Sequence, residues 1–408
     1  MFDKEKVKGA SIGVKFCGYD LQSPFIVGSG PLTYGSEGMI RAHQAGVGAV
    51  VTKTIRLGAA INPAHHMAKI SNEAILNCEK WADSDRFQWY EKEIPEAVKA
   101  GAIVIGSVGH TPIEAKAIVE DVEKAGAHII ELVSYTEDTL LPMLDYAKEH
   151  VNIPVICKLS GNWPDPAGTA KKCYEHGADG LCAIDSIGPT LMIDVEKRAP
   201  VMMSNDGYGW MTGAPIKPIS LRINSQITRN VPGYKNLYGT GGVMKADDAI
   251  EYLMTGCNAV GICSVGILKG LDYVEKMCYK LSDRLKELGF NSIQEAMGVA
   301  LPNFPSTENI TDMGFHFDAK KCSKCHLCET VCCYKARKVI VPEDKTQLPE
   351  MTLDRSLCRS CGLCADVCPT HALTSFVEDQ SAENAKRAAA SKNFDAMVKA
   401  QDPKLLER

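Results

Sequence analysis

No apolar run in this chain approaches the ~20 residues needed to span a bilayer. Nor is charge of one sign in excess: 45 Lys and Arg face 50 Asp and Glu, a formal net charge of −5. Neither nucleic acid nor an anionic membrane is therefore an expected partner. The opening Met1-Phe2-Asp3-Lys4-Glu5-Lys6 is too charged to start a secretory leader, so the expectation is a cytoplasmic protein. A nicotinamide fingerprint is missing as well. No G-x-G-x-x-G opens a helix, and Gly28-Ser29-Gly30-Pro31, which follows an apolar run, has the wrong spacing. What remains is ordinary globular composition, 45% hydrophobic and 23% charged. A chain of 408 residues has room for one large domain of about 250–300 residues and one small one.

Cysteine is plentiful, at 17 residues. Eight form two matching C-x2-C-x2-C-x3-C runs, Cys322, Cys325, Cys328, Cys332 and Cys358, Cys361, Cys364, Cys368, the second followed by Pro369. That is the spacing of two-cluster ferredoxins, in which each [4Fe–4S] cube takes three thiolates from one run and the fourth from the other. One cluster is thus expected on Cys322, Cys325, Cys328 and Cys368, and the other on Cys358, Cys361, Cys364 and Cys332. Structural zinc is the alternative, although zinc modules usually separate two ligand pairs by a long spacer. Cys333, next to Cys332, is expected to pack beside a cluster. The other cysteines are scattered in apolar surroundings, as reduced buried thiols are.

Upstream, eight short runs rich in Val, Ile and Ala alternate with amphipathic stretches. They are Pro24–Gly28, Gly48–Lys53, Ala102–Ser107, Ala127–Val133, Pro154–Leu159, Asp179–Asp185, Lys235–Gly239 and Ala259–Cys263. Runs apolar on both faces are what buried parallel strands require. Helices are expected over Thr111–Gly126, Pro166–Gly177 and Ala246–Gly256, each ending near Gly, and a long one over Leu268–Leu288. Eight strand–helix units in about 250 residues argue for an α/β fold, a closed (β/α)8 TIM barrel, against a doubly wound open sheet. Residues 54–101 and 186–234 read as irregular stretches after strands two and six, on the face where barrels build active sites. The expected organisation is a barrel over residues 1–300, a linker over 301–312, a small two-[4Fe–4S] ferredoxin-like domain over 313–377 and a helical tail over 378–408.

The loops after strands seven and eight commonly hold phosphate in such a barrel. Here they read Tyr238-Gly239-Thr240-Gly241-Gly242 and Gly261-Ile262-Cys263-Ser264. Paired glycines let backbone N–H groups approach an anion, and Ser264 adds a hydroxyl. Two strands end in lysine, Lys53 and Lys158. A cation there is either paired across the barrel, for example to Glu131 or Asp185, or faces a ligand.

Several of these segments are shared with a known family: Thr52-Lys53-Thr54, Asn62-Pro63, Glu131-Leu132, Lys158-Leu159, Gly213-Ala214-Pro215-Ile216-Lys217-Pro218, Thr240-Gly241-Gly242 and Val260–Ser264. With them the chain resembles the dihydroorotate dehydrogenase superfamily. Joined to the cysteine runs, it resembles the flavin/iron–sulfur part of the dihydropyrimidine dehydrogenases, the bacterial two-subunit type in particular, from about Gly13 to Thr374. The resemblance implies FMN contacts at Ser29, Lys53, Thr54, Lys158, Gly213, Thr240, Gly241, Gly242, Cys263 and Ser264. It puts Asn62, Asp185 and Ser186 where the family meets substrate.

The loop after strand four departs from that pattern. It reads Glu131-Leu132-Val133-Ser134-Tyr135-Thr136. Val133 stands where the dihydropyrimidine enzymes carry asparagine, and Thr136 where they carry the catalytic cysteine. In the family, a hydride moves between flavin N5 and one carbon while an acid serves the adjacent carbon. A threonine hydroxyl is a far poorer proton donor than a thiol. Tyr135 is the better candidate. His110 is another, and Asp185 a third if burial raises its pKa.

The function expected is an iron–sulfur flavoprotein oxidoreductase acting on a C–C bond of a pyrimidine-like or other small unsaturated substrate. The clusters would relay electrons to or from a partner, by resemblance an FAD- and NAD(P)-binding subunit or another electron-transfer protein, in a hetero-oligomer. Two alternatives stay open: a reductase of a non-pyrimidine activated alkene, and an electron-relay subunit with no organic substrate of its own.

Overall fold

The computed structural model describes residues 2–306, 308, 310, 312–344, 346–377 and 382–401. The chain divides after Asn303 into two compact units.

The first unit is a closed barrel of eight parallel strands: β1 Phe25–Val27, β2 Ala49–Val51, β3 Val104–Gly109, β4 Ile129–Val133, β5 Val155–Leu159, β6 Gly180–Ala183, β7 Leu237–Thr240 and β8 Ala259–Ile262. Each strand pairs with its chain neighbours, and β8 closes onto β1 with Gly261 opposite Ile26. Every residue of β3, β4, β6 and β8 is buried, the signature of a sheet covered on both faces. The closed barrel borne out here excludes the open sheet.

Eight helices form the outer ring: α1 Ser36–Gln44, α2 Ile94–Lys99, α3 Pro112–Lys124, α4 Glu137–His150, α5 Pro166–Glu175, α6 Lys217–Asn230, α7 Ala246–Met254 and α8 Leu271–Glu287. Proline in the first turn starts α3 and α5, where its missing N–H costs nothing. A glycine at positive φ follows α3, α5 and α7, the left-handed stop that residues with a Cβ take up only at a cost. The single helix expected over Leu268–Leu288 is in fact two. Gly270, at φ +82°, separates α8 from a short helix, Ser264–Lys269.

The two stretches read as irregular combine into one antiparallel sheet over Met67–Ser71, Ala74–Asn77, Gly209–Gly213 and Ile187–Thr190. Trp210 pairs with Asn77 and Thr212 with Ile75. Chain segments more than a hundred residues apart thus make a common cap.

The second unit repeats itself. Met313–Phe317 pairs with Leu373–Val377, and Arg337–Ile340 with Glu350–Leu353. Short helices Leu327–Thr330 and Leu363–Asp366 follow the first cysteines of each run. Left-handed residues recur at the cysteine offset of 36 positions (358 − 322): Lys324 and Ser360, His326 and Gly362, Lys335 and His371. This local bend turns the N–H of Lys324 toward Cys322 Sγ (3.4 Å) and that of Ser360 toward Cys358 Sγ (3.5 Å). Ala382–Lys399 is helical. The rest of the expected tail, residues 378–381 and 402–408, lies outside the described residues, as do 307, 309 and 311 of the expected linker. No helix among the described residues is long and apolar enough to cross a membrane.

Candidate active site

A cavity of about 560 Å³ opens at the C-terminal ends of the barrel strands. All ten residues expected at a flavin line it: Ser29, Lys53, Thr54, Lys158, Gly213, Thr240, Gly241, Gly242, Cys263 and Ser264. So do Tyr135, Asp185 and Ser186. Asn62 does not line it; its Oδ1 accepts the Lys80 N–H at 2.8 Å and fixes the loop that carries Lys80 to the cavity. In this structure Asn62 anchors that loop rather than lining the cavity.

Gly241 and Gly242 have φ of +135° and +76°. A Cβ on Gly242 would stand 2.7 Å from Lys217 Cβ and 2.8 Å from Gly213 O, so the turn tolerates only glycine. Neither N–H donates to a protein acceptor among the described residues, which leaves both available to an anion. Ser264 Oγ donates to Thr212 Oγ1 (2.9 Å), and Ser29 Oγ lies 3.3 Å from Thr54 Oγ1. Burial pushes the Cys263 thiol up to about 11, against the pull of Lys53 and Lys158, so it is neutral at pH 7.

Both lysines are paired. Lys53 Nζ meets Glu79 Oε2 at 2.6 Å, a partner the sequence reading missed, and Lys158 Nζ meets Asp185 Oδ1 at 3.2 Å. Loss of solvent would raise the Asp185 pKa, but Lys158, the Ser186 N–H and His110 outweigh it and lower the pKa. The condition for an acid at Asp185 therefore fails. Asp185 is the ionised partner that holds Lys158 charged despite its burial.

Glu131 lies deeper, fully buried on β4. Its Oε2 accepts a short hydrogen bond from Tyr238 Oη, and its Oε1 has no partner among the described residues. Burial raises its pKa against the pull of Lys158 and the Tyr238 bond. The direction of that shift favours its neutral form, with Asp185 as the counter-charge to Lys158.

The loop after β4 reaches the cavity with Val133, Ser134 and Tyr135 but not Thr136, whose hydroxyl bonds Thr139 Oγ1 at 2.8 Å beside the start of α4. Tyr135 keeps 64% of its surface open. The atoms around its phenol still disfavour the phenolate, and with Asp185 and Glu114 they outweigh Arg56 and raise its pKa. Its ring stacks on His110 at 4.3 Å and 10°. His110 follows β3 directly. Burial, helped by Arg56 and opposed by Glu114 and Asp185, lowers its pKa to about 4, so it is neutral at pH 7. A bidentate Arg56–Glu114 pair (2.7 and 3.1 Å) positions it, because Glu114 Oε2 also accepts the His110 N–H at 2.6 Å.

In the second unit the thiols sort into two sets. Cys322, Cys325, Cys328 and Cys368 line one small cavity; Cys332, Cys358, Cys361 and Cys364 line another. Sulfurs on one tetrahedral zinc would lie about 3.8 Å apart. No group of three or more His, Cys, Asp or Glu among the described residues is gathered to hold a single metal ion. Cys333 is exposed and lines neither cavity, and its thiol contacts Val331 O (3.6 Å).

A family model described as dihydroorotate dehydrogenase matches residues 11–285, and one described as a 4Fe-4S dicluster domain matches residues 308–372. The chain belongs to the dihydroorotate dehydrogenase family. Among its relatives is the NAD-dependent dihydropyrimidine dehydrogenase subunit PreA of Escherichia coli, 26% identical over 393 residues, 88% of this chain and 93% of that protein. The catalytic subunit of dihydroorotate dehydrogenase B (NAD(+)) of Methanothermobacter thermautotrophicus is 26% identical over 306 residues, 70% of this chain and 96% of that protein. The chloroplastic dihydropyrimidine dehydrogenase (NADP(+)) of Arabidopsis thaliana is 26% identical over 334 residues, 72% of this chain and 78% of that protein. This family member is accordingly an iron–sulfur flavoprotein oxidoreductase of CH–CH bonds, with FMN and two [4Fe–4S] clusters as cofactors. The residues fit both groups. The free N–H groups of the glycine turn suit a phosphate, the two lysines suit a flavin ring, and two four-thiol cavities suit two cubes.

Proposed function

We propose that the barrel cavity is where a hydride passes between FMN and one carbon of a substrate C–C bond, while a proton moves at the adjacent carbon. The observation that carries this reading is the convergence of ten side chains and turns from separate strand ends on one cavity beside an ionisable loop. FMN, when bound, supplies a hydride acceptor or donor. Gly241, Gly242 and Ser264 hold its phosphate; Lys53, Thr54 and Lys158 orient its ring, with Ser29, Gly213, Thr240 and Cys263 completing the contacts. Tyr135 gives or takes the proton, with neutral His110 stacked behind it to fix the ring. Asp185 and Ser186 bound the substrate side, and Asp185 acts as counter-charge to Lys158.

The two thiol sets support the crossed ligation: Cys322, Cys325, Cys328 and Cys368 for one cluster, Cys358, Cys361, Cys364 and Cys332 for the other. Such clusters carry single electrons, so they connect the two-electron chemistry of the barrel to a second redox protein. An FAD- and NAD(P)-binding subunit in a hetero-oligomer fits that role. The substrate is a pyrimidine-like ring or another small compound with an activated C=C bond.

The test uses anaerobically purified holoenzyme, photoreduced and mixed with uracil, thymine and a series of α,β-unsaturated ketones. Reoxidation of the flavin absorbance by any of these, with formation of the saturated product, is expected. A flavin that only the partner subunit reoxidises would refute hydride transfer and leave an electron relay.

A further inference from the structure

Three of the chain's four tryptophans line the barrel cavity: Trp81, Trp163 and Trp210. They come from three separate segments, the loop after β2, the loop after β5 and the cap sheet. Tyr135 adds a fourth ring. A tryptophan at a site usually offers its N–H as well as its face. Here two N–H groups are already spent: Trp81 Nε1 donates to Gly58 O at 2.7 Å and Trp163 Nε1 to Tyr135 O at 2.9 Å. The neighbouring amides are committed too. Asn77 Nδ2 donates to Trp210 O at 3.2 Å. Asn162 donates to Ser160 Oγ at 3.2 Å and Ser186 O at 3.4 Å, and accepts the Gly188 N–H at 3.2 Å. Val133 presents only methyl groups. Trp163 and Trp210 offer a ligand aromatic face, while Trp81 already carries the Arg56 guanidinium 4.2 Å over its ring.

We propose that the compartment takes a planar conjugated carbonyl compound without ring amides, with the aryl-substituted enones as its class. The ring lies against the faces of Trp163 and Trp210. This rests on the hydride-transfer reading above and narrows its substrate. A pyrimidine brings N–H and C=O groups around its rim, and each one desolvated without a partner weakens binding. An aryl enone has one carbonyl and otherwise apolar edges. In its reduction the C=C π bond is lost and two C–H bonds form. The β-carbon takes a hydride and the α-carbon a proton from Tyr135, with both electrons drawn from reduced FMN, which the clusters replenish.

The experiment is calorimetric titration of oxidised holoenzyme with benzalacetone and with uracil, following the flavin spectrum in parallel. Benzalacetone is expected to perturb the spectrum and to bind at least tenfold more tightly than uracil. Trp163→Ala should weaken benzalacetone at least tenfold with FMN content unchanged, and Trp163→Phe should recover most of that loss, because it keeps a ring face but not the N–H. Uracil binding as tightly as benzalacetone, or benzalacetone affinity untouched in Trp163→Ala, would overturn the proposal. A protein that binds benzalacetone as expected but, once photoreduced, is not reoxidised by it keeps the compartment and refutes hydride transfer instead.

Discussion

Glu131 is the most exacting point in the barrel's electrostatics. Its carboxyl is fully buried, takes one hydrogen bond from Tyr238 and leaves one oxygen without a partner among the described residues. Its pKa is raised in the folded protein, so over a range of pH above the ordinary value of 4.5 it is protonated when folded and ionised when unfolded. The folded state then binds the extra proton, and stability falls as pH rises through that range. Each pH unit within it costs about 1.4 kcal/mol. Glu131→Gln keeps an acceptor for Tyr238 and never ionises. The variant is therefore expected to gain on the wild type by about 1.4 kcal/mol per pH unit from pH 5 upward, for as long as Glu131 stays neutral. In melting temperature that is a gap widening by about 2–5 °C per pH unit. Differential scanning calorimetry from pH 5 to 8 reads it directly. Parallel curves for the two proteins would mean that Glu131 is ionised in the fold and that Lys158 has two counter-charges, which would refute the assignment of Asp185 as its sufficient partner.

Three further outcomes are expected. Tyr135→Phe should lower turnover of an accepted alkene by about 100-fold or more with affinity within a few fold; unchanged turnover removes Tyr135 as the proton carrier. Cys368→Ser lies in the second run but should destroy the cluster of the first, taking iron from about eight per chain to about four and leaving the other cube's spectrum intact; loss of the second run's own cluster would reverse the crossed assignment. Arg337 is only 4% exposed, its Nε and Nη2 have no hydrogen-bond partner among the described residues, and its charge lowers the thiol pKa of both Cys328 and Cys364, one from each set, against the effect of burial. Arg337→Gln should shift both cluster potentials downward in an EPR-monitored titration, since a buried positive charge favours the reduced, more negative cube; unmoved potentials would contradict that.

The barrel was readable because its strands are local: each is a short apolar run that needs no partner to be recognised. Positive-φ glycines gave the helix ends for the same reason. The cap sheet was not readable. Its strands are short, two of them are partly or largely exposed, and the pairing that joins its two halves spans more than a hundred residues, so alternation does not mark them. Of the two strand-end lysines, Lys158 found Asp185, one of the partners anticipated. Lys53 found Glu79, which sits in a stretch with no pattern to direct attention to it. His110 read as a loop histidine, and only the fold reveals it stacked on Tyr135. The tryptophan set has no linear signature at all, because positions 81, 163 and 210 line one cavity only once the barrel and its cap exist.

The same geometry explains why a family resemblance can fix the cofactor and leave the substrate open. Glu131 and Val133 are two apart on β4, so they share its inward face. The first stays in the core against Tyr238, and the second emerges at the mouth beside Lys158, its register partner on β5. Position 131 is fully buried in the barrel core, where charge pairing and close packing leave little freedom. Position 133 and the loop beyond it touch only what enters from above. Replacing an amide with the valine side chain, and carrying a phenol instead of a thiol into the cavity, alters the outer chamber. The glycine turn and the two lysine–carboxylate pairs stand on other strands and are untouched. This arrangement lets the substrate side change while the cofactor side does not, and on the reading proposed above the aromatic rings are the form that change takes.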